Sequence, residues 1–196
     1  YWRSGIFILR KEINTMSKFI NQIQKALNDL NQTNLDYLKK VILRNNSEII
    51  IFGNGGSNAI SAHMAEDYTK TLKKKAIAFT DGARLTCYAN DYGYENSFRQ
   101  YLSEFSTSNS LVILISSSGN SKNILNCAEY CLENDIEYII LSGFDQTNSL
   151  RSKYSELALL DFWVDSKDYG VVECVHEIDR KSTRLNSSHA NISYAV

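Results

Sequence analysis

The chain has 196 residues, 43% hydrophobic and 22% charged, with a formal net charge of −1. That is enough for one well-buried domain and short for two. The near-neutral balance leaves no basic stripe of the kind that grips nucleic acid, and no apolar stretch nears the roughly 18 residues that span a bilayer.

Ile6 to Leu9 is too short for a signal-peptide core, so a soluble, cytoplasmic protein with neither a nucleic-acid nor a membrane partner is expected. Tyr1 to Thr15 precedes a Met16-Ser17 start and reads as a non-native leader. Met16 to Arg44 is long and amphipathic. Phe19, Ile23, Leu27 and Leu30 recur at helical spacing, followed by Leu35, Leu38 and Ile42. Such a face could pack on its own sheet or on another subunit, and the oligomer contact is the favoured reading.

A strand–helix rhythm follows. Glu48 to Phe52, Lys75 to Thr80, Ser110 to Ile115, Glu137 to Leu141 and Leu157 to Val164 are short apolar runs rather than alternating ones. Continuous runs suit parallel strands covered on both faces. Asn58 to Leu72, Glu95 to Phe105 and Lys122 to Asn134 carry helical patterns between them. The fold class expected is α/β, a doubly wound, five-stranded parallel sheet flanked by helices, with a long N-terminal helix. One domain, 16–180, should hold all of it.

Lys73 to Lys75 reads as a solvated helix end rather than a binding patch. Cys127 and Cys131 are four apart on one helix face; a metal pair is conceivable, but no second Cys/His pair has the spacing, and buried thiols fit better. Lys181 to Val196 is polar, rich in Ser and Asn, and lacks core periodicity. It reads as an adaptor-derived extension, with a native disordered tail as the other possibility.

Two loops carry chemistry. Gly53-Asn54-Gly55-Gly56-Ser57 follows the first strand and opens a helix. Its glycines let backbone approach a ligand, and a helix N-terminus favours an anion. No Gly-Lys-Ser/Thr ending makes it a Walker loop, and the glycine spacing is wrong for a dinucleotide fingerprint. Ser116 to Ser121 follows the third strand and again opens a helix, forming a phosphate cup without a lysine. Ser and Asn favour such positions as plain caps and turn formers. Two such loops at the carboxyl ends of strands one and three outweigh that reading, because ligands of open α/β sheets bind there.

These two loops, with Ala89-Asn90-Asp91-Tyr92-Gly93-Tyr94 between them, resemble the sugar isomerase (SIS) domain family and its phosphoheptose isomerase branch. The resemblance runs from Met16 to Ile178. It implies a flavodoxin-like SIS fold, a phosphorylated sugar as partner and a homotetramer with sites between subunits. It also implies interconversion of sedoheptulose 7-phosphate with an aldoheptose 7-phosphate for surface-polysaccharide, including lipopolysaccharide, heptose. On this resemblance the phosphate falls on Ser116, Ser118 and Ser121, with Ser117 in the same loop. Asn54 and Ser57, flanking Gly55 and Gly56, contact the sugar, and Asn90 and Asp91 line the pocket. His63 matches a zinc ligand. Asp67, with Glu66 just before it, occupies the catalytic glutamate's position and is the third zinc-site candidate beside Glu173. Glu173 also matches a substrate-side position. A further catalytic histidine is expected eight residues on, where Lys181 stands. Aspartate's missing methylene and this lysine both lead us to expect impaired isomerisation, which leaves a non-catalytic sugar-phosphate binder as the alternative. His176 is expected on a helix face at a subunit contact.

Overall fold

A computed structural model describes residues 2–29 and 32–177, with side chains from residue 15 onward except at position 32. The suspected tail, Lys181 to Val196, and Lys181 itself lie outside the described residues. The chain runs α1 (Trp2–Asn28), α2 (Gln32–Arg44), β1 (Glu48–Phe52), α3 (Gly56–Lys70), β2 (Lys75–Ala78) and α4 (Gly82–Tyr92). A 3-10 turn (Tyr94–Asn96) leads into α5 (Ser97–Phe105), β3 (Leu111–Ser116), α6 (Lys122–Glu133), β4 (Glu137–Ser142), α7 (Ser149–Tyr154) and β5 (Leu160–Trp163). A further helix, α8, covers 169–177.

All five strands are parallel, in the order β2-β1-β3-β4-β5. Successive side chains of a strand alternate between sheet faces. Accordingly Ile49, Ile51, Leu111, Ile113 and Ile115 join one core with Leu38, Val41 and Ile42 of α2, Met64 and Tyr68 of α3, and Val172 and Val175 of α8. Ile50, Phe52, Val112 and Leu114 join the other, under Phe98 and Leu102 of α5 and Ile124 and Cys127 of α6. β1 and β3 are neighbours whose following helices lie on opposite faces, so their loops diverge and leave a crevice between them.

Several expectations need correction. The first helix opens at Trp2, not at Met16; nothing in Ile6 to Glu12 breaks a helix, so the Thr15–Met16 junction is no structural boundary. Near its C-terminal end Ala26 and Leu27 pack on the first core, while Met16 and Ile20 remain exposed. The face expected to meet another subunit is therefore shared with the chain's own sheet. Lys74 is not simply solvated: its ammonium donates to the Leu43 carbonyl at 2.6 Å and the Asn45 carbonyl at 2.7 Å. It satisfies the open carbonyls that end α2, where a cation is also favoured by the helix dipole. Cys127 and Cys131 are buried, as expected, and burial pushes both thiols up, Cys131 to about 12. No described helix is long and apolar enough to cross a membrane.

His176 is the sharpest departure. It is fully buried between α8 and the sheet, with Nε2 3.3 Å from the Ser142 carbonyl and Nδ1 without a partner among the described residues. The apolar stripe Val171, Val172, Val175 carries this position inward, where periodicity alone had left it outside. Burial lowers its pKa to about 4, against a smaller opposing effect of the Ser142 bond. The unfolded histidine, near 6.5, binds a proton first as pH falls, so stability is lost as pH drops from 6.5 toward 4. We expect a loss of about 2 kcal/mol between neutral pH and pH 5. Urea unfolding of the wild type and of His176→Gln across that range tests this. A variant with the same slope as the wild type would assign the pH dependence to other groups.

Candidate functional site

β1 delivers the first loop. Gly53 follows Phe52 directly, and a Cβ there would collide with the Ser57 carbonyl as the chain turns into α3. Gly55 holds φ +54°, a conformation that few side-chain-bearing residues adopt, and it caps α3 without any side-chain hydrogen bond. Glu173 of α8 fills the space where a Cβ of Gly56 would sit. The glycine thus admits a carboxylate against the opening turn of α3, the end of a helix that favours negative charge.

β3 delivers the second loop. Ser116 Oγ accepts from the Gly119 N–H at 3.1 Å and donates to Ser121 Oγ at 3.2 Å. Ser118 Oγ accepts from the Asn120 N–H at 3.3 Å. Ser117 is buried, and its Oγ has no partner among the described residues. Ser121 begins α6 without a side-chain cap bond, so the first turn keeps N–H groups to offer an anion. The loop is braced from behind by α7. Leu150 N–H donates to the Gly119 carbonyl at 2.8 Å, and Ser149 N–H to Asn120 Oδ1 at 3.1 Å. Gly119 has φ +64° and lies against the buried Asn148 side chain, which any Cβ would strike.

The two loops enclose a cup of about 130 Å³ lined by Asn54, Ser57, Ile115, Ser116, Ser117, Ser118, Ser121, Tyr169 and Glu173. It sits at the β1–β3 crevice. Its size suits one anionic group, with the rest of a ligand extending past the rim. A larger hollow of about 750 Å³ lies at the opposite edge of the sheet, by Arg44, Glu48, Lys75 and Glu137. Most of its charges are already engaged: Arg44 pairs with Glu137 at 2.9 Å. Burial tends to raise the Glu48 carboxyl, but hydrogen bonds from Ser110, Ser47 and Thr107 outweigh it and hold it at about 2. The smaller cup, with its unclaimed donors, is the better anion site.

Of the expected residues, the structure brings together Asn54, Ser57, all four serines of the second loop and Glu173, and sets Gly56 behind Glu173. Asn90 and Asp91 lie outside the cup, at the exposed end of α4, bonded to each other at 2.9 Å. On α3, Glu66 borders a shallow surface hollow with Thr69, Lys70 and Ile77, and Asp67 is buried. His63 Nδ1 stands 2.9 Å from Glu177 Oε1. The proposed zinc set does not converge within the chain. Among the described residues no three His, Cys, Asp or Glu side chains group to hold a metal, and Glu173 faces the cup while His63 faces Glu177. No step is therefore derived through zinc.

Sequence reasoning missed Tyr169 at the cup's rim and Glu177 opposite His63. It also missed a bonded trio beneath the cup. Asn54 Nδ2 donates to Asn123 Oδ1 at 2.9 Å, Asn123 Nδ2 donates back to Asn54 Oδ1 at 2.9 Å, and Tyr94 OH donates to Asn54 Oδ1 at 2.7 Å. A buried polar residue two places after Ser121, on an otherwise apolar helix face, was the available signal.

Comparison with known proteins agrees with this fold. The SIS domain model matches residues 13–143. A phosphoheptose isomerase of Glaesserella parasuis serovar 5 is 30% identical over 158 residues, covering 74% of this chain and 80% of the relative. One from Serratia proteamaculans is 31% identical over 193 residues, covering 91% and 92%. Among solved structures, the phosphoheptose isomerase of Neisseria gonorrhoeae superposes with a TM-score of 0.82 at 22% identity, over 93% of this chain and 99% of that one. The chain belongs to the SIS domain family and, within it, to the phosphoheptose isomerases.

Proposed function

We propose that the chain is an aldose–ketose isomerase that interconverts D-sedoheptulose 7-phosphate and D-glycero-D-manno-heptose 7-phosphate through an enediol. The observation that carries the reading is the serine cup at the β1–β3 crevice, with its uncapped helix start. The 7-phosphate would sit there, and Asn54 and Ser57 would meet the sugar. Such an isomerisation needs a base to move a proton between neighbouring carbons and an acid to serve the oxygens. Asp67 is the base in this reading, with Glu66 beside it. Both lie outside the cup of their own chain, which supports sites completed between subunits of a homotetramer; the exposed Met16 and Ile20 of α1 favour such contact. A cytoplasmic place in heptose synthesis for surface polysaccharide follows from the same reading.

Aspartate at position 67 favours a second reading, a sugar-phosphate binder without turnover, because about 1 Å of misplacement can cost on the order of a hundredfold in rate. Following D-sedoheptulose 7-phosphate by NMR separates the two. Appearance of the aldose phosphate is the expected result. Binding without conversion would establish the second reading, and absence of binding would overturn both.

A further inference from the structure

The trio beneath the cup fixes which way a side-chain amide points. An asparagine's oxygen and nitrogen can exchange places by a flip, and only the bonding network decides between them. Here the decision starts at the backbone. Ile124 N–H donates to Asn123 Oδ1 at 3.0 Å, and a backbone N–H can only donate. Sharing that N–H with the Ser121 carbonyl, Asn123 Oδ1 faces the backbone, its NH₂ turns toward Asn54, and Asn54 answers with its oxygen. Tyr94 adds a second donor to that oxygen. Both lone pairs of Asn54 Oδ1 are then taken. Its nitrogen gives one hydrogen to Asn123, and among the described residues the other has no protein partner.

We propose that Asn123 and Tyr94 are positioning residues that set Asn54 as a hydrogen-bond donor, aimed at an oxygen of the sugar rather than at the phosphate. Asn54 lines the cup from the β1 side, opposite the serine loop. Beyond the volume filled by one anionic group, the next ligand atoms are those of the sugar chain. The inference rests on the sugar-phosphate reading above. Asn123 is 2% exposed and cannot touch a ligand from solvent, so its influence passes through Asn54 alone.

The test uses Asn123→Leu and Tyr94→Phe, with calorimetric affinities for sedoheptulose 7-phosphate and for inorganic phosphate. In Asn123→Leu the Ile124 N–H keeps the Ser121 carbonyl at 3.0 Å as acceptor, so α6 retains its start. We expect sugar-phosphate affinity to fall about five- to tenfold in Asn123→Leu and about two- to threefold in Tyr94→Phe, with phosphate affinity unchanged. Equal losses for both ligands would mean that the trio only shapes the cup, and no loss in either variant would mean that Asn54 does not donate to the sugar; both overturn the proposal. Should Asn123→Leu fail to fold, the half-exposed Tyr94→Phe decides alone. If the wild type binds no sugar phosphate, the functional reading fails. The side-chain amide resonances of the ligand-free protein then judge the network separately: Tyr94→Phe must shift those of both Asn54 and Asn123, and unmoved resonances refute it.

Discussion

Replacing Phe52 by alanine should lower stability by about 3–5 kcal/mol. Phe52 closes β1, is fully buried, stacks on Phe98 at 5.1 Å between centroids and meets Tyr101 edge-on at 5.9 Å. Truncation removes the ring's transfer free energy and leaves a cavity walled by two other aromatics fixed on α5, which cannot collapse fully. Against a total of about 5–15 kcal/mol for an ordinary domain, the variant would stand near the edge of folding. The next residue is Gly53, so the same change loosens the root of the first ligand loop. Urea denaturation measures the loss, and Phe52→Leu, which keeps most of the volume, should cost less than about 1.5 kcal/mol. A loss below about 1 kcal/mol for Phe52→Ala would contradict the packing described.

The serine loop carries the second large effect. Ser118→Ala combined with Ser121→Ala should weaken binding of sedoheptulose 7-phosphate at least about tenfold, since each hydrogen bond to a charged group is worth roughly 1.5–3 kcal/mol. The fold should survive. Ser118 accepts only the neighbouring Asn120 N–H, and Ser121 takes a single bond from Ser116. Calorimetry gives the affinity and the melting temperature gives the control. Unchanged affinity in a folded variant would place the phosphate elsewhere, and the hollow by Arg44 and Lys75 would be the next site to test.

What could be read from the sequence follows burial. β1 matches its expected span because Ile49, Ile50 and Ile51 are covered on both sides and form a run with no competing pattern. β3 is shifted by one residue, to Leu111–Ser116, because Ser116 still pairs with β4 before the loop begins. α4 was not expected as a helix, since none of its residues is buried and no apolar stripe marks it; its sign was the Asp81 cap, which accepts the Arg84 N–H at 2.9 Å. α7 has only six residues, too few for a periodicity. β5 is shorter than its apolar run, Leu157 to Val164, because Leu157 is 69% exposed before the strand pairs with β4. The serine loop was legible as a cup because each hydroxyl is local to one segment. The pairing of Asn54 with Asn123, 69 positions apart, and of His63 with Glu177 depends on three-dimensional placement that no local pattern encodes.

The bracing of the serine loop by α7 bears on how such a site can diversify. With Gly119 pressed on Asn148 and its carbonyl tied to Leu150, the loop has little freedom to be reshaped one residue at a time. A phosphate held there, as proposed above, would find its donors already in place, so little ordering entropy would oppose its capture. The anchor is therefore the conservative half of the pocket. Preference among phosphorylated sugars would then fall to the rim, where Tyr169 is about half exposed, and to Tyr94, also half exposed, which acts through Asn54. A library confined to those two positions should change which sugar is held while leaving the grip on phosphate intact.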